Sequence, residues 1–190
     1  MEIFRLNPPE CEYKYCFVSG NFPYGNGFRE GTAVLPLMKE HGVDLLDYSL
    51  DEDEGGLEIG DYFTNTTGIL PVSRKFADAL KDEFDLGSCE LIPSRVRNAK
   101  KRVHVQEMTT VNPLGRIDCL DWEQSQLDGD VENPLVAIFG AWSLKQSRVP
   151  AGLDVFRVKA LTGYLFSERL VNFIREKKLK NFVFEEARLT

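Results

Sequence analysis

Two histidines, four cysteines and a knot of carboxylates beside a tryptophan are the side chains of this 190-residue chain best suited to chemistry. Nucleophilic catalysis needs a serine or cysteine activated by a base, and only His41 and His104 could serve as that base. There is no Gly-x-Ser-x-Gly elbow, His41 precedes Gly42 where a helix ends, and His104 sits in an alternating strand-like run. A hydrolase triad is therefore not indicated. The cysteines, Cys11, Cys16, Cys89 and Cys119, lack the paired Cys-x-x-Cys or Cys/His spacing of a zinc site, and read as reduced thiols in or near a core. No metal and no cofactor is expected. Asp118, Asp121 and Glu123 flank Trp122 and are the set that could work as paired carboxylates on a sugar. They define an alternative reading as a small carboxylate-dependent hydrolase, which requires a concave pocket with convergent carboxylates of raised pKa.

Two glycine-bearing segments resemble ligand loops without meeting their rules. Asp51-Glu52-Asp53-Glu54-Gly55-Gly56 has glycine sixth, as in a calcium loop, but Gly55 stands fifth and Tyr62 stands twelfth, where a bidentate glutamate is needed. Gly25-Asn26-Gly27 has neither the Gly-x-Gly-x-x-Gly spacing nor a following Gly-Lys-Ser/Thr, and reads as a surface turn.

The elements that must position these residues follow from periodicity. A short module occurs twice. The first copy runs Leu70-Pro71-Val72-Ser73, then Phe76, Ala79, Leu80, then Leu86, Cys89 and Leu91; the second runs Tyr164-Leu165-Phe166-Ser167, then Leu170, Phe173, Ile174, then Leu179, Phe182 and Phe184. Each predicts a strand end, a serine N-cap, an amphipathic helix and a returning strand. Further strands are expected at 1–6, 12–18, 102–106, 135–139 and 155–160, with a helical turn at 37–41 stopped by Gly42. The predicted fold class is α+β: mostly antiparallel, mixed sheets with few helices, strands joined locally, and the strand-helix-strand module used twice. Residues 1–190 read as one domain, with a division near 68 into a β-rich lobe (1–68) and a lobe bearing the modules (69–190).

Composition narrows the function. A hydrophobic fraction of 43% with thirteen phenylalanines belongs to a folded protein, and no apolar run approaches the eighteen or so residues of a membrane helix. The first residues lack the shape of a signal peptide, so a cytoplasmic location and no membrane partner are expected. The net charge of −7 is concentrated: residues 40–61, whose acids read as a solvated loop around Gly55-Gly56, carry nine of the thirty acids and no lysine or arginine, leaving twenty-one acids against twenty-three bases elsewhere. Residues 118–132 form a second stretch without a base. Such surfaces repel phosphate backbones and attract a basic protein, so no nucleic-acid partner is expected.

The succession Leu70-Pro71-Val72-Ser73-Arg74-Lys75-Phe76, Glu90-Leu91-Ile92-Pro93, Ile117-Asp118-Cys119-Leu120-Asp121 with Ser125, Val155-Phe156-Arg157-Val158, and Leu165-Phe166-Ser167-Glu168-Arg169-Leu170 resembles a large bacterial family of immunity proteins encoded beside polymorphic toxins, formerly a domain of unknown function and of the myxobacterial type. The resemblance covers roughly residues 60–188. It implies a non-catalytic protein that binds and neutralises a cognate toxin domain. It transfers no contact residues, so the candidate surface comes from charge: Asp51, Glu52, Asp53, Glu54, Glu58 and Asp61 to steer a basic toxin, with Leu57, Ile59, Tyr62 and Phe63 as exposed apolar anchors. A second alternative, an effector-loading adaptor of a secretion system, requires a broad apolar patch. Oligomeric state is open.

Overall fold

The computed structural model describes residues 2–7, 14–17, 25–55, 60–63, 69–98, 106–128, 139–159, 161 and 163–190, with the backbone alone at 14–17, 25, 26, 29, 50–55, 98, 128 and 139. Its strands are β1 (Ile3–Asn7), β2 (Lys14–Phe17), β3 (Leu46–Gly55), β4 (Leu70–Ser73), β5 (Cys89–Asn98), β6 (Gln106–Pro113), β7 (Gln126–Asp128), β8 (Phe139–Ala141), β9 (Ser143–Leu144), β10 (Val155–Arg157), β11 (Tyr164–Ser167) and β12 (Val183–Leu189). Its helices are α1 (Gly25–Glu30), α2 (Leu35–Glu40), α3 (Arg74–Glu83) and α4 (Glu168–Glu176), with a 3-10 turn at Gln146–Arg148.

Both modules form, and each opens on its serine. Ser73 Oγ accepts from the Phe76 amide 3.4 Å away, and Ser167 Oγ accepts from the Leu170 amide at 3.2 Å, so a side chain satisfies an amide that the first turn leaves without a partner. The strands flanking each helix are parallel but not adjacent. Strand β6 lies between β4 and β5, antiparallel to both, and β1 lies between β11 and β12 in the same way. A further strand runs parallel outside each returning strand, β3 beside β5 and β9 beside β12. Four strands and a helix therefore repeat in order and direction, within sheets ordered β2-β3-β5-β6-β4 and β10-β11-β1-β12-β9. The repeat extends past the cap. Tyr62 bridges Val72, the residue before Ser73, and Val155 pairs with Phe166, the residue before Ser167.

The α+β class with mixed, mainly antiparallel sheets is thus realised. The connectivity is less local than expected, because β1 crosses the whole chain to pair Ile3 with Ser167 and Ala187. The acidic stretch, expected as a solvated loop, is in large part the ten-residue strand β3, with Gly55 paired to Lys14. Main-chain bonds to β2 and β5 decide its form, and the charges ride on it. Gly25 and Gly27, expected in a turn, belong to the short helix α1. The expected strand at 102–106 is described only at Gln106, where β6 begins, and that at 135–139 only at Phe139, in β8.

Strand alternation divides the apolar side chains among three cores. The central one joins the helix-bearing faces of both sheets: Phe4 and Leu6, Leu70 and Val72, and Tyr164 and Phe166 meet Phe76 and Leu80 of α3 and Leu170 and Ile174 of α4. Phe76 meets Phe182 edge-on at 5.2 Å between ring centroids, and Phe84 meets Phe173 at 5.1 Å, so each helix touches the loop or helix of the other module. The second core lies on the far face of the first sheet under α1 and α2, around Phe28, Met38, Tyr48 and Ile92. The third lies on the far face of the second sheet, around Ile3, Leu120, Trp142 and Phe156.

Candidate functional site

The acidic segment lies on an interior strand, between β2 and β5, and its charges are not all available. Asp47 faces Arg95 and Arg97 on the neighbouring strand β5, accepting from Arg95 Nη2 at 2.6 Å and from Arg97 Nε at 2.9 Å. Two guanidinium groups thus share one carboxylate, and Asp47 adds no negative charge to the surface. Asp51, Glu52, Asp53 and Glu54 follow on the outer half of β3, and Glu58 lies outside the described residues.

Tyr62 and Phe63 correct the expectation of exposed anchors. They are 7% and 0% exposed, Tyr62 stacking on Phe182 at 5.4 Å in the central core and Phe63 packing in the second core. Neither reaches a partner's surface in this fold. Asp61 is equally committed to the interior of the design. Its Oδ1 accepts from Ser73 Oγ and its Oδ2 from the Lys180 amide, both at 2.8 Å, while its own backbone bonds Ser73 and Lys180.

The second module repeats that arrangement with Asp154, a residue that sequence reasoning missed. Asp154 accepts from Ser167 Oγ and, at 2.8 Å, from the Asp85 amide, and its backbone bonds Ser167 and Asp85. Arg169 adds a guanidinium to the same carboxylate. Each aspartate thus holds the cap of its own helix and grips the loop that follows the helix of the other module. Burial pushes the Asp154 carboxyl up, but the bonds from Arg169 and Ser167 outweigh it and leave the group below the ordinary carboxylate value. The signal was available in the spacing: Asp61 precedes Ser73 by twelve residues and Asp154 precedes Ser167 by thirteen.

The carboxylates of the hydrolase alternative serve separate structural ends. Asp118 forms a surface ion pair with Arg148 at 3.1 Å, and Glu123 is exposed. Asp121 accepts from Thr190 Oγ1 at 2.8 Å and from the amides of Glu123 and Gln124. The Thr190 hydroxyl leads in holding the Asp121 carboxyl below its ordinary value, the opposite of what a general acid needs. Burial raises the thiols of Cys89 and Cys119, to about 12 and about 11, so neither is a thiolate nucleophile at neutral pH. Among the described residues no three His, Cys, Asp or Glu side chains are grouped to hold a metal ion. His41 is exposed after α2, and His104 lies outside the described residues. For the adaptor alternative, the exposed large apolar side chains among the described residues are Leu35, Leu37, Trp122 and Val183, spread over α2, the turn after Asp121 and β12 rather than gathered into a patch.

Between α3 and the helix-facing side of β5 and β6 runs a groove of about 530 Å³, floored by Ala77, Leu91 and Pro93 and rimmed by Lys81, Arg95 and Glu107. Arg74 bridges its mouth to Glu107 at 2.6 Å, an exposed pair of little energetic weight.

An α+β scaffold with paired modules, and polar groups spent on helix caps, turns and ion pairs, is what these residues assemble. The chain belongs to the Immunity protein family (Imm11), whose model matches residues 43–188. No curated protein matches the chain. With that membership come an immunity function and a toxin as partner in general. The match begins at Val43 rather than near residue 60, so it takes in most of the acidic stretch. It leaves out β1, although β1 is the central strand of the second sheet.

Proposed function

We propose that this chain is a non-catalytic inhibitor that binds one cognate toxin domain of a polymorphic toxin system in the cytoplasm and blocks it by occupying its surface. The observation that carries this reading is the family match over residues 43–188. The use of Asp121 in a turn, with its carboxyl held low, supports this reading over a carboxylate-dependent hydrolase. The outer half of β3, with Asp51, Glu52, Asp53 and Glu54, supplies the acidic surface that meets basic groups of the toxin. Like-signed surface charge acts mainly on the rate of encounter and is screened by salt.

Co-expression with the toxin domain encoded beside the gene tests the function: growth arrest by the toxin alone, relieved by this chain, is the expected result. Failure to relieve it refutes the reading. Changing all four acids at 51–54 to their amides should slow association roughly tenfold at low salt, with a smaller effect at high salt. An association rate that does not change removes the acidic strand from the interface.

A further inference from the structure

The two modules differ in how the space beneath the helix is filled. Strand pairing puts Thr109 of β6 where the second module has Phe4 of β1, because Thr109 pairs with Val72 and Phe4 with Phe166, each one residue before a cap serine. Counting from the same serines puts Lys81 where α4 has Arg175, and strand pairing puts Leu91, opposite Val111, where β12 has Phe184, opposite Leu6. In the second module these positions are filled: the Arg175 guanidinium lies 5.3 Å over the Phe4 ring, and Phe184 packs edge-on to Phe166 at 5.4 Å. In the first, Thr109, Leu91 and Lys81 line the open groove of about 530 Å³. A cation thus stands over an unfilled seat whose twin holds a phenylalanine.

Charge adds a second feature. At one end of the groove, whose lining also carries Asp78 and Glu107, Arg95 shares the single carboxylate of Asp47 with Arg97 two residues further along β5, and the two arginine side chains keep 33% and 43% of their exposure. The cluster carries an excess positive charge that a partner's carboxylate would complement.

We propose that this groove is the docking site for a segment of the toxin that carries an aromatic side chain next to an acidic residue, the ring entering under Lys81 and the carboxylate meeting Arg95 and Arg97. The proposal rests on the immunity reading above and names a surface for it. The aromatic supplies desolvated contact area and a cation–π contact, and the carboxylate fixes its register. The acidic strand β3 then acts at the periphery and the groove at the centre.

The test measures affinity for the catalytically inactivated toxin domain encoded beside the gene. Thr109→Phe fills the seat with the residue that the second module already accommodates, and should weaken binding at least about thirtyfold, the loss of one anchor, while melting temperature is held or raised. Lys81→Gln, which removes the cation without placing an acid in the last turn of α3, should weaken binding severalfold with little change in melting temperature. A photocrosslinking amino acid in place of Lys81 should capture a toxin peptide with Phe, Tyr or Trp beside Asp or Glu. If the wild-type chain neither binds nor protects, the immunity reading falls and this proposal with it. If it binds, and both variants bind as well, or the captured peptide lacks that pairing, the groove is not the docking site while the immunity reading stands.

Discussion

Replacing Asp154 by alanine should be among the most damaging single changes in the chain, and its magnitude can be worked from its bonds. The residue is 2% exposed, and its carboxylate accepts from Ser167 Oγ, the Asp85 amide and Arg169. A hydrogen bond to a buried charged group contributes about 1.5–3 kcal/mol, so the first two are worth about 4 kcal/mol together. The Arg169 side chain is 61% exposed, and its share is discounted to about 0.5 kcal/mol. For a chain of this size about 4 kcal/mol lowers the melting temperature by about 12 °C. Asp61→Ala removes the corresponding two bonds without a guanidinium and at a less buried site, so about 2 kcal/mol is expected. The effect carries a sign in pH. The folded-state carboxyl of Asp154 lies below the ordinary value near 3.9, so its contribution is fully present above that value and is lost as pH falls through the depressed folded value. Wild type and Asp154→Ala should therefore differ most near neutral pH and converge in acid. Calorimetry or urea unfolding of both variants across pH 3–7 measures this. A loss below about 1 kcal/mol for Asp154→Ala, or a larger loss for Asp61→Ala, would refute the reasoning.

Two further changes test the packing. A Cβ at Gly163 would lie 2.6 Å from Cη2 of Trp142, so Gly163→Ala should lower stability by about 1–3 kcal/mol in urea unfolding, through displacement of a ring on which Arg5 also stacks. With Cys11, Cys16 and Cys89 changed to serine, the enclosed Cys119 should label with a thiol reagent at pH 8 only as fast as the protein opens, because burial both covers its thiol and holds it near 11. Rapid labelling of the native protein would contradict that.

The modules were legible because their signals are local. A serine three residues before an amide it can cap, and apolar residues at helical spacing, act within a dozen residues of chain, and Ser73 and Ser167 took the roles expected of them. What failed was non-local. Nothing around Tyr62 and Phe63 in sequence separates an exposed anchor from an edge residue that bridges Val72 and stacks on Phe182, since the deciding partners lie ten and one hundred and twenty residues away. The strand at 46–55 was hidden by its acids, because β-pairing is fixed by main-chain partners that composition does not report. The groove was out of reach for a related reason: Thr109 and Phe4 are comparable only once strand pairing has aligned them.

The place of β1 has a consequence for the order in which the protein is made. The strand at Ile3–Asn7 is made before the other described strands, yet it completes a sheet only between strands that begin at Tyr164 and Val183. The first sheet, from β2 to β6, can close while synthesis continues, whereas the second must hold an apolar strand in waiting until β12 emerges. Protection would then lag translation by the closure of that one strand, and a variant that slows β1 pairing should leave a cell exposed even when the finished protein binds as tightly as before.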